Sequence, residues 1–266
     1  MKLSDHKRNV FSQFGEDGIL EKLFDGMRDG FCVEFGASNG LYMSNTANLI
    51  RHHGWRGVLI EGALHKFTSI EHNYPSAKYT VRALNHVVGL EGDYTLDQIL
   101  AREAPETPKE FELLSIDIDG CDYHVWEGLK NYQPKVVVVE FNPTIPAEVE
   151  FVQPRDLTLF QGSSLLSLTK LADSKGYVLV ACTDTNAIFI RPELEWFRGF
   201  RFDPASISSI IATVWTDRKY VTYVFSLYDG TVKLAGSRQL PWHGVSFDEE
   251  KLQVLTPEQR RFPGAL

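Results

Sequence analysis

The sequence predicts an α/β fold, a parallel sheet wound on both faces by helices and followed by a C-terminal β-hairpin appendage. Three observations carry this reading. Between residues 28 and 190, short apolar runs alternate with stretches of helical spacing. The run at 136–139 is four consecutive valines, as a strand covered on both faces should be. After Pro192 the alternation stops, and Asp229-Gly230 between two apolar runs marks a hairpin.

The elements follow in order. Ile19, Leu20, Leu23 and Phe24 recur at helical spacing and predict a helix over 12–27. Strands are expected at 31–35, 57–61 and 78–84, separated by helices at 45–52 and 65–73, the second ended by Pro75. A helix at 95–102 leads through a loop with two prolines to a fourth strand at 111–119, and a fifth strand covers 135–141. A helix at 165–174 precedes strands at 177–182 and 187–190. Residues 1–195 then form the main domain, with 1–27 as a helical N-terminal segment. Residues 196–266 form a hairpin and tail that could act as a lid or a dimer contact.

Composition limits the function classes. The 266 residues are 43% hydrophobic and 23% charged, which gives an ordinary globular core. A formal charge of -8 argues against nucleic acid as a partner, because phosphate binding needs a basic surface. No apolar run is long enough to span a bilayer, and the N-terminal residues lack the apolar core of a signal peptide, so no membrane partner is expected. Cys32, Cys121 and Cys182 are odd in number without metal-site spacing, which fits reduced thiols in a cytoplasm.

The strongest chemical signal is Phe31-Cys-Val-Glu-Phe-Gly-Ala-Ser-Asn-Gly40, followed by Gly57-Val-Leu-Ile-Glu-Gly62. Each reads as a buried strand, the first breaking into a glycine turn and the second ending on an acid. Gly36 and Gly40 let backbone approach a ligand closely, and Glu61 can accept hydrogen bonds from both hydroxyls of a ribose. A dinucleotide fingerprint would carry three spaced glycines and offer amides to a pyrophosphate. Here Glu34 stands two residues before the first glycine, where a carboxylate repels phosphates and suits a cation. The amino and sulfonium groups of S-adenosylmethionine meet that requirement better than NAD does.

A second constellation lies at the ends of strands four and five. Alternation along a strand puts Asp117 and Asp119 on one face, about 7 Å apart, and Glu140 and Asn142 share a face on the neighbouring strand. Such oxygen ligands suit Mg²⁺ or another hard divalent cation, and Asp117, Glu140 and Asn142 are the candidate ligands. Asp119 and Asp122 can instead cap the helix that begins near Tyr123. The preferred division makes Asp122 a cap and Asp117 a ligand.

With these residues in view, the chain resembles class I S-adenosylmethionine-dependent methyltransferases of the FkbM type. The resemblance rests on Ser12-Gln-Phe-Gly-Glu-Asp17, on the glycine turn running on through Ser44-Asn-Thr46, and on Ile116-Asp-Ile-Asp-Gly120. It covers roughly residues 11–190. It implies a Rossmann-like seven-stranded sheet whose last strand runs antiparallel. It also implies that Glu34, Gly36 and Ser38 border the methionine part of the donor, with Gln13, Ala37, Gly40, Ser44, Asn45 and Asp117 around it. Glu61 would take the ribose and Asn85 would lie near the adenine. The ends of strands four and five are also similar to cation-dependent O-methyltransferases, from which the inserted Phe141 departs.

The chemistry expected is O-methyl transfer to a hydroxyl of a small molecule, a natural product or a sugar. Methyl transfer is an in-line displacement, so alignment is the main task. A cation could acidify the hydroxyl, or a histidine could remove its proton, with His124 ahead of His86 and His243. Asp117 and His124 are therefore the candidate catalytic residues. A binding or assembly domain that kept the fold is the alternative, and a nucleotide-dependent oxidoreductase or sugar-modifying enzyme is a third. A homodimer is a further expectation for the chain. The aromatic residues Trp196, Phe197, Phe200, Phe202, Trp215, Tyr220, Tyr223 and Trp242 could line an acceptor pocket or pack the appendage.

Overall fold

A computed structural model describes residues 3–192, 207–215 and 219–261. Seven strands form one sheet in the order β3-β2-β1-β4-β5-β7-β6. They are β1 (Phe31–Phe35), β2 (Arg56–Ile60), β3 (Val81–Leu84), β4 (Glu110–Ile116), β5 (Gln133–Glu140), β6 (Val178–Cys182) and β7 (Asn186–Ile190). The first five are parallel, and β7 runs antiparallel between β5 and β6. Helices α1 (Glu16–Phe24), α2 (Ala47–His53), α3 (Leu64–Asn73), α4 (Leu96–Glu103), α5 (Asp122–Gly128), α6 (Leu165–Ser174) and α7 (Ile207–Val214) complete this part. The expected doubly wound, seven-stranded architecture is the one observed.

The sheet separates two apolar layers. One holds Val33, Phe35, Val137, Val139, Trp126 and Phe189, the other Cys32, Leu59, Leu113, Val136, Val138 and Ile188. Alternate residues of β5 enter opposite layers, which is why its sequence is aliphatic throughout. Burying each such side chain contributes roughly 1.5–3 kcal/mol, so the sheet edge is set by a stiff core.

Three expectations are corrected. The first helix begins at Glu16 rather than residue 12, because Gly15 adopts a left-handed φ of 103° and Asp17 captures the preceding backbone. One Asp17 oxygen accepts from the amides of Val10, Phe11 and Ser12 at 2.7, 2.7 and 2.8 Å, an arrangement that holds 10–12 out of the helix. Strand β4 ends at Ile116, and Asp119 turns left-handed with φ 58°, so Asp117 and Asp119 do not alternate along a strand. Asp122 does not cap from outside α5. It is the first residue of that helix and reaches back to the amides of Ile118 and Gly120, both at 2.9 Å.

The chain divides into two compact units, Met1–Asn142 with Ala147–Thr216, and Pro143–Pro146 with Asp217–Leu266. Helix α7, unforeseen in the sequence, belongs to the first unit and contacts α6 and β6. Trp215 after it is buried and meets Phe141 edge-on with ring centroids 4.9 Å apart. That inserted aromatic is therefore a core residue. The second unit contains the expected hairpin, β8 (Thr222–Ser226) with β9 (Val232–Gly236), and a short ribbon, β10 (Gln239–Leu240) with β11 (Val245–Ser246). Gln253 bonds both the amide and the carbonyl of Val232, which ties the tail to the hairpin. Tyr220 and Tyr223 are half-buried and Trp242 is exposed, whereas Trp196, Phe197, Phe200 and Phe202 lie outside the described residues.

Candidate active site at the carboxyl edge of the sheet

Strand order reverses between β1 and β4: the chain passes from β1 outward to β2 and β3, then returns to β4 on the other side. In open α/β sheets, the crevice beyond the strand ends at such a point is where ligands bind. The first side of it is built on Gly36, with φ 72°. A Cβ there would stand 1.6 Å from the carbonyl oxygen of Asp117, so only glycine lets the two strand tips approach this closely. Gly40, with φ 77°, is roofed by Tyr74, whose hydroxyl donates to the Gly40 carbonyl at 2.6 Å.

Two buried acids shape the turn, each in its own way. Glu34 accepts from the Ser44 hydroxyl at 2.6 Å, the Thr46 hydroxyl at 2.7 Å and the Asn45 amide at 2.8 Å. Burial pushes its carboxyl up, and the three donors pull against that. Its oxygens thus hold the loop between β1 and α2 in place, and the Asn45 side chain extends the link to Ser115 on β4 at 3.1 Å. Glu61 bridges the neighbouring tips, one oxygen accepting from the Ser38 amide and the other from the Ala63 amide, both at 2.8 Å. A carboxylate offers about four lone-pair positions, so each oxygen can accept one bond more. Asn85 donates to the carbonyls of Glu61 and Gly62 at 2.7 and 3.1 Å, fixing the β2 tip beside it. Val87, whose side chain lies against Gly62, and Leu64, the first residue of α3, are both largely exposed. Ala37 is buried within the turn, and Gln13 is exposed on the loop before α1.

On the β4–β5 side, oxygen atoms of Asp117, Asp119 and Glu140 all lie within 4.8 Å of one another. Asp117 and Glu140 are partly buried and Asp119 is exposed. Burial first, then the neighbouring acids, push Asp117 well above the usual carboxylate range and raise Glu140 to about 10. Asp122, buried beneath them, is raised to about 6 by burial, against the bonds from Ile118 and Gly120. The acids themselves fit a hard cation, because three anionic oxygens at this separation can meet one ion. Asn142 directs its amide to the carbonyl of Gln161 at 2.8 Å. His124 donates from Nε2 to the Gln153 carbonyl at 2.8 Å, and His86 pairs with Glu103 at 2.7 Å. His243 is exposed in the second unit.

Two features went unseen in the sequence. Glu16, fully buried, accepts from the Thr183 hydroxyl, from the Asn186 amide at 3.0 Å and from the Phe14 amide at 2.8 Å. It joins the N-terminal loop to the β6–β7 turn, a pairing across more than 160 residues that no local spacing reveals. Gln153, also buried, gathers the loop between β5 and α6. Its amide donates to Cys121 Sγ and to the carbonyls of Asp156 and Leu159, and its oxygen accepts from Gln161 and Gly162.

Residues 91–179 match the family described as Methyltransferase FkbM domain. That segment runs from before α4 through β4, the acidic turn and β5 to the start of β6, and the chain resembles FkbM-type S-adenosylmethionine-dependent methyltransferases. Among solved structures, the chain is similar to the CurJ carbon methyltransferase (9% identity, 65% of this chain and 52% of that one, TM-score 0.43). It is also similar to a SAM-dependent methyltransferase from Aquifex aeolicus (10% identity, 66% and 88%, TM-score 0.41). A third is TrmK from M. capricolum in complex with S-adenosyl-homocysteine (12% identity, 64% and 65%, TM-score 0.39). The chain spans less than two thirds of the length of several such structures. No curated protein matches it.

Proposed function

We propose that the protein is an S-adenosylmethionine-dependent O-methyltransferase acting on a hydroxyl of a small molecule. The observation that carries this is Glu61. It is a buried acid at the tip of β2, held by the Ser38 and Ala63 amides with acceptor positions to spare, beside a turn whose Gly36 admits no side chain. Ribose hydroxyls are the natural donors to such a carboxylate. Leu64, Val87 and Asn85 offer an adenine two apolar faces and an amide. Gly36, Ala37, Ser38 and Gly40 border the rest of the donor, while Glu34, Ser44 and Asn45 hold that turn from behind and Gln13 lies on the loop before α1.

S-adenosylmethionine supplies an electrophilic methyl group at a positively charged sulfur. Asp117, at the tip of β4 against Gly36 and beside Asp119 and Glu140, is the residue proposed to take the hydroxyl proton once it is ionised; burial and like charges hold it protonated until then. His124, tied to Gln153, supports the loop over β5 in this reading and is a less favoured base. A divalent cation at the same acids would lower the pKa of the acceptor hydroxyl, a task Asp117 and Glu140 are suited to share.

Incubation with a methyl-labelled donor and a panel of hydroxylated small molecules tests the proposal. Label is expected on a hydroxyl and is expected to be lost in Asp117→Asn with donor binding retained. Label found on nitrogen or carbon alone would contradict O-transfer.

A further inference from the structure

We infer that Asp119 joins Asp117 and Glu140 as the third carboxylate of a divalent-cation site, and that Asn186 adds a neutral oxygen to it. The inference deepens the cation part of the proposal above and is independent of the methyl donor. Asp119 comes to the site because the chain leaves β4 at Ile116 and curls: with φ 58° its carboxylate turns back toward Asp117 instead of following the strand outward. The three acids then bring one oxygen each within 4.8 Å of the others. Oxygens around a single Mg²⁺ or Mn²⁺, each a little over 2 Å from the metal, are separated by about 3–4 Å, so small side-chain adjustments close the set.

The independent observation is Asn186. It is the cross-strand partner of Glu140 in the β5–β7 ladder, so the two side chains share one side of the sheet. It is 4% exposed. Its amide nitrogen is committed to Glu16, which fixes the orientation of the group, and its Oδ1 is buried with no hydrogen-bond partner. A buried amide oxygen without a donor is costly, and a cation at Glu140 supplies what it lacks. The acid set with a neutral amide oxygen matches a hard ion and not zinc, which prefers nitrogen and sulfur.

Titration of the full chain with Mn²⁺, followed by electron paramagnetic resonance and calorimetry, tests this. One saturable site is expected in the unmodified protein. Asp119→Gly suits the left-handed backbone and removes only the carboxylate, and it should weaken Mn²⁺ roughly tenfold or more. Asn186→Ala should weaken it by a smaller factor, and Glu71→Gln, an exposed acid on α3, should change nothing. S-adenosylmethionine titrated into the same samples reports whether each variant is folded and whether the donor reading stands. Absence of saturable Mn²⁺ binding, or unchanged affinity in Asp119→Gly, would overturn the inference even where the donor binds.

Discussion

At the scale of single residues, the site is built from acids whose burial is offset in different ways. Glu34 is offset by three donors, so its removal strands the Ser44 and Thr46 hydroxyls and the Asn45 amide. Glu34→Ala should therefore destabilise the fold by on the order of 3 kcal/mol, read from urea denaturation, and weaken the donor by disordering 37–46. Glu140 is offset by nothing comparable. Its carboxyl is raised from an ordinary 4.5 to about 10 by burial and by Asp117, Asp122 and Asp119. A group raised on folding favours the folded state fully below its ordinary value and loses that contribution as pH climbs through the raised one. Thermal stability should thus fall between pH 5 and pH 9, and Glu140→Gln should flatten the fall and raise the melting temperature at pH 9. An equal slope in both proteins would show that Glu140 ionises unperturbed. Local spacing made the positions of Gly36 and Glu61 legible in the sequence because each belongs to a strand tip, whereas Glu34, read there as facing a cationic ligand, is buried and takes up the Ser44, Asn45 and Thr46 donors. The acid triad was legible only in part, since the left-handed turn at Asp119 is carried by no glycine or asparagine at that position.

At the scale of elements, the loop between β5 and α6 depends on one side chain. Gln153 makes five hydrogen bonds within 121–162 through its amide group, and its carbonyl accepts from His124. Gly120 packs directly against it, with Gln153 atoms 3.0 and 3.1 Å from a Cβ placed there. Gln153→Ala should open residues 154–162 to limited proteolysis while leaving donor affinity unchanged, because the contacts of Glu61 and Ser38 are made elsewhere. Protection equal to the unmodified protein would show that the loop is held by other contacts. Strands and most helices were legible because their periodicity is local. The start of α1 and the presence of α7 were not: the first depends on Asp17 turning back on 10–12, the second on packing against α6 and β6. The staple formed by Gln153 has no sequence signature, as glutamine in a loop is ordinarily solvated.

At the scale of the molecule, the strand order places the crevice between β1 and β4, and everything argued for the site follows from that reversal. The valine-rich β5 and the alternation of strand and helix announced the sheet, whereas the division into units at Asp217 depends on contacts that no composition change marks. No described helix is long and apolar enough to cross a membrane. The central claim is that this crevice binds a sulfonium methyl donor through Glu61, and calorimetry with S-adenosylmethionine and NAD tests it most directly. The account predicts one saturable site for S-adenosylmethionine, weakened roughly tenfold to a hundredfold in Glu61→Ala as a charged acceptor is lost, and no comparable binding of NAD. Binding of NAD in preference to S-adenosylmethionine, or donor affinity unchanged in Glu61→Ala, would contradict it.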